Sequence, residues 1–548
     1  MTVNIDRRQL MALGTFGLGA LSMPASAELI GTKGFTHGVA SGEPSQTSVL
    51  LWTRYVADGD AELSVQVADR ADFHYTQKAS AVMTVTAKAG RDHIAKVVVS
   101  DLTPGRWYFY RFIGPDGATS PIGRTRTLPE GPTSKFNLGV FSCSNMPFGY
   151  FNAYAHAATR NDLDLIVHTG DYLYEYGTGT YPSEKEALAG RVVAPSHEMI
   201  QLADYRLRYA AYRNDPDLQR LHQLFPMIAM WDDHEFTNDA HRDGAQNHDS
   251  SEGDWGMRKR VAEQVYREWL PVRDRSVDEP YWSEYQIGDL ATIFMTESRI
   301  SGRDHPAEIA DALRGQTDIP PALAKFRDDV WQDPSRQMLG TSQEAWLGSA
   351  MRQSKASGTK WQVWAQQCIM GNLRSPQETG DWLDPNAPPF VQARVKVGQM
   401  AAQAGLPFNM DAWDGYPVAR QRILKDIANA NADLLVLTGD SHNGWAFNLD
   451  VDGTPVGVEM AGHSVTSPGF ENFFKGTNPD DVSKALRGAN EQLHWANTDS
   501  RGYMTVSLTP DSASSTWHFL DTIRSKSTQM KGQTVHAVAH GNNKFSMG

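Results

Sequence analysis

Four short apolar runs each lead into residues able to hold a metal ion. Phe136–Phe141 leads into Ser142, Cys143, Ser144 and Asn145. Residues 163–167 lead to Gly170, Asp171 and Tyr174. Residues 225–230 lead to Asp232, Asp233, His234 and Glu235, and residues 434–437 to Gly439, Asp440, Ser441 and His442. Asp171 follows a glycine at a strand end, where a carboxylate is free to bridge two ions, and a short loop can turn the Tyr174 phenol back to the same place. Cys143, Asp171, Tyr174 and His442 then offer thiolate, carboxylate, phenolate and imidazole, three of them anionic, and the phenolate favours a trivalent ion, Fe³⁺. Asp171, Asp233 and Asp440 offer a second, all-oxygen set, with the Asn238 carbonyl as a further donor. Such a shell suits Ca²⁺, Mg²⁺ or Mn²⁺, and Ca²⁺ is preferred because several loop carboxylates allow a high coordination number. Two neighbouring cations stabilise developing negative charge and acidify a water, so the pattern indicates a dinuclear centre and a hydrolytic enzyme. His234 is expected to assist the leaving oxygen, with Glu235 orienting it or serving a structural purpose. Asn145 is expected to donate to a phosphate oxygen and Arg299 to clamp it. His463 has no assigned role and is a candidate for support behind the ligands. No serine nucleophile is needed, so Asp511-Ser512-Ala513 is taken as an ordinary turn.

These clusters are useful only if strands bring them to one rim, as the carboxyl ends of strands do in open α/β sheets. The chain has 548 residues, enough for two or three domains, and 40% hydrophobic and 21% charged residues, the balance of a globular protein. Its net charge of −13 argues against nonspecific nucleic-acid binding or attraction to anionic membranes, so substrate phosphate must be drawn by local cations. Residues 31–128 read as all-β. Strands are expected at 48–53, 95–99 and 106–112, and the Leu-x-Pro…Tyr-x-Tyr spacing through Leu102, Pro104, Tyr108 and Tyr110 suggests the tyrosine corner of a fibronectin-like sandwich. Pro129-Glu130-Gly131-Pro132 marks a boundary. Residues 136–521 alternate strand and helix patterns, with helices expected at 205–212, 218–224, 258–270 and within 411–430 and a strand at 361–370, as in an α/β layered domain. Residues 303–350 read as decoration of that core, and 522–548 as a tail without a clear pattern. Trp231, Trp364 and Trp413 are expected to pack rather than to bind substrate.

The first 27 residues resemble a twin-arginine signal. Asp6-Arg7-Arg8-Gln9-Leu10 is followed by an apolar, glycine-rich stretch and by Ala25-Ser26-Ala27, a small-x-small cleavage site. The apolar stretch falls short of the roughly 20 residues that span a bilayer. The expectation is export by the twin-arginine machinery, cleavage, and a periplasmic or extracellular monomer without membrane insertion. Cys143 and Cys368, the two cysteines, are expected to stay unpaired, since a disulfide would consume a ligand.

Each motif alone is commonplace, because a Gly-Asp is usually a turn and a buried cysteine usually packs. Together, FSCSN, GDYLYEYG, WDDHEF and GDSHNGW, with the stretches around Tyr205, Met338 and Trp413, resemble the alkaline phosphatase D (PhoD-like) family of metallophosphatases, relatives of the purple acid phosphatases. The resemblance implies a four-layer αββα catalytic fold after the β-sandwich. It also implies an Fe³⁺–Ca²⁺ centre, with iron on Cys143, Asp171, Tyr174 and His442 and calcium on Asp171, Asp233 and Asp440. The segment Thr296-Glu297-Ser298-Arg299 departs from the family's Asp-Thr-Arg. The expected activity is hydrolysis of small phosphate monoesters and diesters for phosphate acquisition. A phospholipase D-type phosphodiesterase on the same scaffold is the alternative, and a non-catalytic secreted binding protein the second. No His-Glu-x-x-His occurs, which removes the commonest metalloprotease signature.

Overall fold

The computed structural model describes residues 32–73, 82–276, 278–383 and 389–546; the expected export signal, residues 1–27, lies outside them. The amino-terminal strands are β1 (Gly34–Gly42), β2 (Val49–Val56), β3 (Ala61–Ala68), β4 (Val82–Ala87), β5 (Ile94–Val99), β6 (Trp107–Ile113) and β7 (Gly123–Arg126). They form two layers, β1-β2-β5 and β4-β3-β6-β7. Alternate residues of both turn inward, Leu51 and Val99 from one layer meeting Val65, Tyr110 and Phe112 from the other. The Thr103 amide donates to the Tyr108 hydroxyl at 2.8 Å, the corner suggested by the Leu-x-Pro spacing.

The following strands are β8 (Phe136–Phe141), β9 (Leu165–His168), β10 (Pro226–Ala229), β11 (Ser283–Ile287), β12 (Ala291–Met295), β13 (Trp361–Ala365), β14 (Leu434–Thr438), β15 (Gly444–Val451), β16 (Thr454–Ala461), β17 (Leu493–Asn497), β18 (Gly502–Leu508), β19 (Ser512–Leu520) and β20 (Met530–Ala539). One sheet runs β20-β19-β18-β8-β9-β10-β1-β2-β5 and the other β11-β12-β13-β14-β16-β15-β17. β8, β9 and β10 are parallel neighbours, as are β12, β13 and β14. Because side chains alternate along a strand, each face of the second sheet builds a separate core. Leu435 and Leu437 of β14, with Val363 and Ile293, pack against Leu138, Val140 and Val167 of the first sheet. Leu434 and Val436, with Trp364 and Phe294, pack outward beneath the helices Thr341–Ala356 and Pro417–Asn429. Tyr205, Tyr209, Leu218 and Leu221, from the helices Leu202–Arg213 and Pro216–Leu224, join the core of the first sheet. The order is therefore helix, sheet, sheet, helix, and Trp231, Trp364 and Trp413 are buried within it.

Three features depart from the expectations. The four ligand-bearing strands are not all neighbours: β8, β9 and β10 share one sheet while β14 lies in the other, so the ligands converge between two sheets. The amino-terminal strands are built onto the catalytic sheet, since Ser41 and Gly42 of β1 pair in parallel with Pro226 and Met227 of β10. The tail also contributes a strand: β20 pairs along the whole of β19 and forms the sheet's edge. Its exposed side chains alternate with partly buried ones, and such a half-covered edge strand carries little hydrophobic pattern. Among the described residues no helix is long and apolar enough to cross a membrane.

Candidate metal centre

Each ligand-bearing loop leaves its strand through a sharp reversal. Gly170, with φ of +107°, closes β9 so tightly that a Cβ there would lie 2.4 Å from that of Asp232. Four of the expected ligands themselves occupy the left-handed region that non-glycine residues avoid: Cys143 at φ 61°, Asp171 at 51°, Asp440 at 59° and His442 at 64°. Such residues store about 1–3 kcal/mol of backbone strain each, held by the surrounding structure, and they concentrate at functional sites. Glu235 ties two of the loops together. Its carboxylate accepts from the amides of Asp171 (3.1 Å), Tyr172 (2.7 Å) and Asp232 (2.9 Å). The alternative in which Glu235 orients His234 is thereby replaced by the structural one.

The Cys143 thiol, an Asp171 oxygen and a His442 nitrogen lie within 4.8 Å of one another. The Tyr174 hydroxyl stands 3.0 Å from Asp171 Oδ2 and 3.1 Å from His442 Nε2. All four expected iron ligands thus meet in one place. His442 Nδ1 lies 2.9 Å from the Pro468 carbonyl. A carbonyl can only accept, so Nδ1 carries the proton and Nε2 presents its lone pair to the cluster. Burial lowers the His442 pKa to about 3, which keeps the ring neutral, as a ligand must be. The Ser467 hydroxyl, 2.7 Å from the Tyr174 oxygen, is placed to donate to a phenolate. Burial, then the Asp171 charge, drives the Cys143 thiol well above its ordinary pKa. Burial and the neighbouring anions do the same to Tyr174. Only a cation among them would reverse that balance.

Asp171 also belongs to a second group, with Asp233 and His234, the shared position expected of a bridging carboxylate. Asp171 Oδ1, Asp232 Oδ2 and Asp233 Oδ1 are buried oxygens that accept no hydrogen bond. Orphaned, mutually repelling carboxylate oxygens beside a thiol, a phenol and a neutral imidazole are a donor set that fits metal ions.

The rest of the second set is arranged differently. Asp440 groups with Asp232 and Cys368 rather than with Asp171. The Arg299 guanidinium stands 3.2 Å from Asp440, 3.6 Å from Asp233 and 2.7 Å from Asp411, and also holds Asp232. Arg299 is fully buried, so the expectation that it clamps substrate phosphate gives way to a charge-balancing role among carboxylates. Glu297 fixes its loop, accepting from the amides of Arg299 (2.6 Å), Ile300 (2.8 Å) and Ser301 (2.8 Å). The Asn238 side-chain nitrogen donates to Gln246 at 3.0 Å. Asn145 is buried, with a long 3.4 Å contact to the Tyr181 carbonyl and an unpaired side-chain oxygen. His463 is buried edge-on against Phe519, with both ring nitrogens unpaired. The cysteines are both free.

Glu175 is the main residue the sequence reading missed, although it lies inside the quoted GDYLYEYG segment. Its buried carboxylate receives His234 Nδ1 at 2.7 Å, the Asn238 amide at 2.8 Å and Asn247 Nδ2 at 3.1 Å. Burial works against a charged His234, but Asp233, Glu175 and Asp171 prevail and raise its pKa well above the ordinary value. Arg303, the first residue of the segment read as decoration of the core, is buried against Asp411. Neither pairing has a local sequence signal, because the partners are distant in the chain.

The family model of PhoD-like phosphatases matches residues 138–517, and that of their N-terminal domain residues 22–129. The alkaline phosphatase D of Bacillus subtilis (strain 168) is 33% identical over 495 residues, 87% of this chain and 76% of that protein. A solved structure titled "Structure of PhoD" superposes with a TM-score of 0.76 at 28% identity, covering 94% of this chain and 92% of that one.

Proposed function

The chain belongs to the PhoD-like phosphatase family, and from that premise we propose an exported enzyme that hydrolyses small phosphate monoesters and diesters, in the service of phosphate acquisition. The observation that carries the proposal is Asp171, shared by two ligand groups, one of which includes Cys143 and His442 with Tyr174 in hydrogen-bond contact. Cys143, Asp171, Tyr174 and His442 would hold Fe³⁺. Asp171 and Asp233, with Asp440 once Arg299 shifts or is displaced from between them, would hold Ca²⁺. When bound, such a pair supplies charge neutralisation for the phosphoryl group and a nucleophile from water near neutral pH.

The protein's own groups do the rest. Glu175 holds His234 Nδ1, so the opposite ring edge is the one offered to a departing alkoxide. The Glu175 carboxylate against Nδ1 favours the protonated ring, ready to donate. Asn145 would turn its amide from the long contact with Tyr181 to a phosphate oxygen. Arg299 and Arg303 offset the carboxylates on the far side, so that the pocket tolerates a dianionic substrate beside so many acids.

Metal analysis of the purified protein together with a Cys143→Ala variant tests the assignment. The native protein is expected to carry iron, to absorb in the visible through a phenolate–iron band, and to hydrolyse aryl phosphates. The variant is expected to lose iron and activity together. A colourless, iron-free protein of full activity would refute it.

A further inference from the structure

The loop that supplies Tyr174 carries two more tyrosines. The His234 ring lies 4.1 Å from Tyr174 and 5.5 Å from Tyr176, centroid to centroid. Tyr181 closes the set, 5.6 Å from Tyr176, edge to face, and 6.0 Å from Tyr174. Tyr174 is committed to Asp171, His442 and Ser467. Tyr176 and Tyr181 are only half-buried, unlike the wholly buried Tyr172 and Tyr174 beside them. Both stand close to the ionisable groups of the centre. Asp233 is among the charges acting on Tyr176, and Cys143 and Asp171 are among those acting on Tyr181.

We infer that Tyr176 and Tyr181 form an aromatic wall for the leaving group, giving this site a preference for esters of aryl alcohols and nucleosides over those of aliphatic alcohols. The inference rests on the phosphatase reading above and adds a substrate class to it. An oxygen that receives its proton from His234 lies at hydrogen-bond distance from that ring's edge, and its first carbon is one bond farther on. Of the two tyrosine rings beside His234, Tyr174 is buried in the ligand cluster, and Tyr176, backed by Tyr181, is the partly exposed one left to meet a substrate group. A flat, apolar group fits such a wall by offset or edge-to-face contact, and a flexible aliphatic chain gains less from it. Ring-on-ring stacking of this kind changes affinity by roughly tenfold or more when the side-chain ring is removed. Both tyrosines belong to the segment that holds an ion ligand, so the wall is fixed relative to the reacting phosphorus.

The acidity of the leaving group must be held constant to isolate the effect. The full-length, metal-loaded enzyme is therefore compared on a phenyl phosphate diester and on a fluoroalkyl diester whose alcohol matches phenol in acidity. The expected result is a preference of about tenfold or more in kcat/KM for the phenyl ester, carried mainly by KM. Tyr176→Leu and the Tyr176→Leu/Tyr181→Leu pair should shrink that ratio towards one, and Tyr176→Phe should retain it. Iron content and the visible band, measured on each variant, show whether the Tyr174 shell survives. Should a leucine variant lose iron, competitive inhibition of the native enzyme by phenylphosphonate against a butylphosphonate replaces it, with the aromatic compound expected to bind about tenfold more tightly. Equal kcat/KM for the two esters, a ratio that persists in the iron-bearing double variant, or equal inhibition would overturn the aromatic wall and leave the phosphatase reading intact. Absence of turnover with both diesters and with phenyl phosphate would overturn both.

Discussion

Glu175 shows how much a single buried carboxylate can organise. It accepts from the imidazole that faces the centre and from the amide of Asn238, and so fixes both the orientation of the His234 ring and the loop behind it. Glu175→Gln keeps an acceptor for Nδ1 but removes the charge that helps hold His234 protonated. The variant is expected to lose about 10²-fold in kcat with alkyl phosphates and far less with nitrophenyl phosphate, whose leaving group needs little protonation. A plot of log kcat against leaving-group pKa should steepen accordingly, and an unchanged slope would remove His234 from the role of acid. At the same scale, Arg299 illustrates that a charged residue beside a phosphate site need not touch phosphate. Its partners are four aspartates, and their repulsion is what it relieves.

The turns after the strands, more than the strands themselves, place the chemistry. β9 delivers Asp171 only because Gly170 lets the backbone reverse against Asp232. An alanine there meets both a forbidden φ and a contact with the Asp232 backbone at 2.6 Å. Gly170→Ala is therefore expected to destabilise the protein by about 2–3 kcal/mol or more and to displace Asp171 from both ligand groups. A lowered thermal midpoint with less than one iron per chain would be the outcome, and a midpoint and iron content equal to those of the parent would contradict it. The first sheet is an element-scale device of another kind. By running from β20 through β10 into β1, β2 and β5, it makes the amino-terminal sandwich an extension of the catalytic layer. The β10 end that carries Asp233 is thus braced from both sides.

At the scale of the whole molecule, buried ionisable groups couple stability to pH in opposing directions. Burial lowers His37, His168, His463 and His518 to about 3. Their unfolded counterparts take up protons near pH 6.5, so the stability they provide is complete above that value and is lost as pH falls towards 3. Burial raises Asp414 to about 6 and Glu459 to about 7, so their contribution has the opposite sign, present at low pH and lost as pH rises through 4 to 7. A single variant separates the two. His37 donates to the Ala210 carbonyl at 3.1 Å and sits at φ 62°, a conformation asparagine tolerates. Relative to His37→Asn, the native protein's advantage in thermal midpoint is expected to be constant above pH 7 and to shrink steadily between pH 6.5 and 4.5. A difference independent of pH would show that His37 is not held neutral in the fold.

The sequence by itself determined the layered α/β class, the sandwich ahead of it, the strands β8, β9, β10 and β14, and the ligand types at their ends. These are local properties: alternation fixes the strand, and a glycine followed by an aspartate fixes the turn. The gathering of Cys143, Asp171, Tyr174 and His442 was legible because each lies in the short loop that leaves the carboxyl end of β8, β9 or β14. Tertiary structure alone decided that β14 faces the other three strands from a second sheet. It alone decided that Glu175 rather than Glu235 supports His234, that Arg299 neutralises carboxylates, and that residues 530–539 complete the first sheet's edge. In each case the deciding partner lies tens to hundreds of residues away. Pairing of buried charges depends on distance in space and on desolvation, neither of which leaves a periodic trace in the chain.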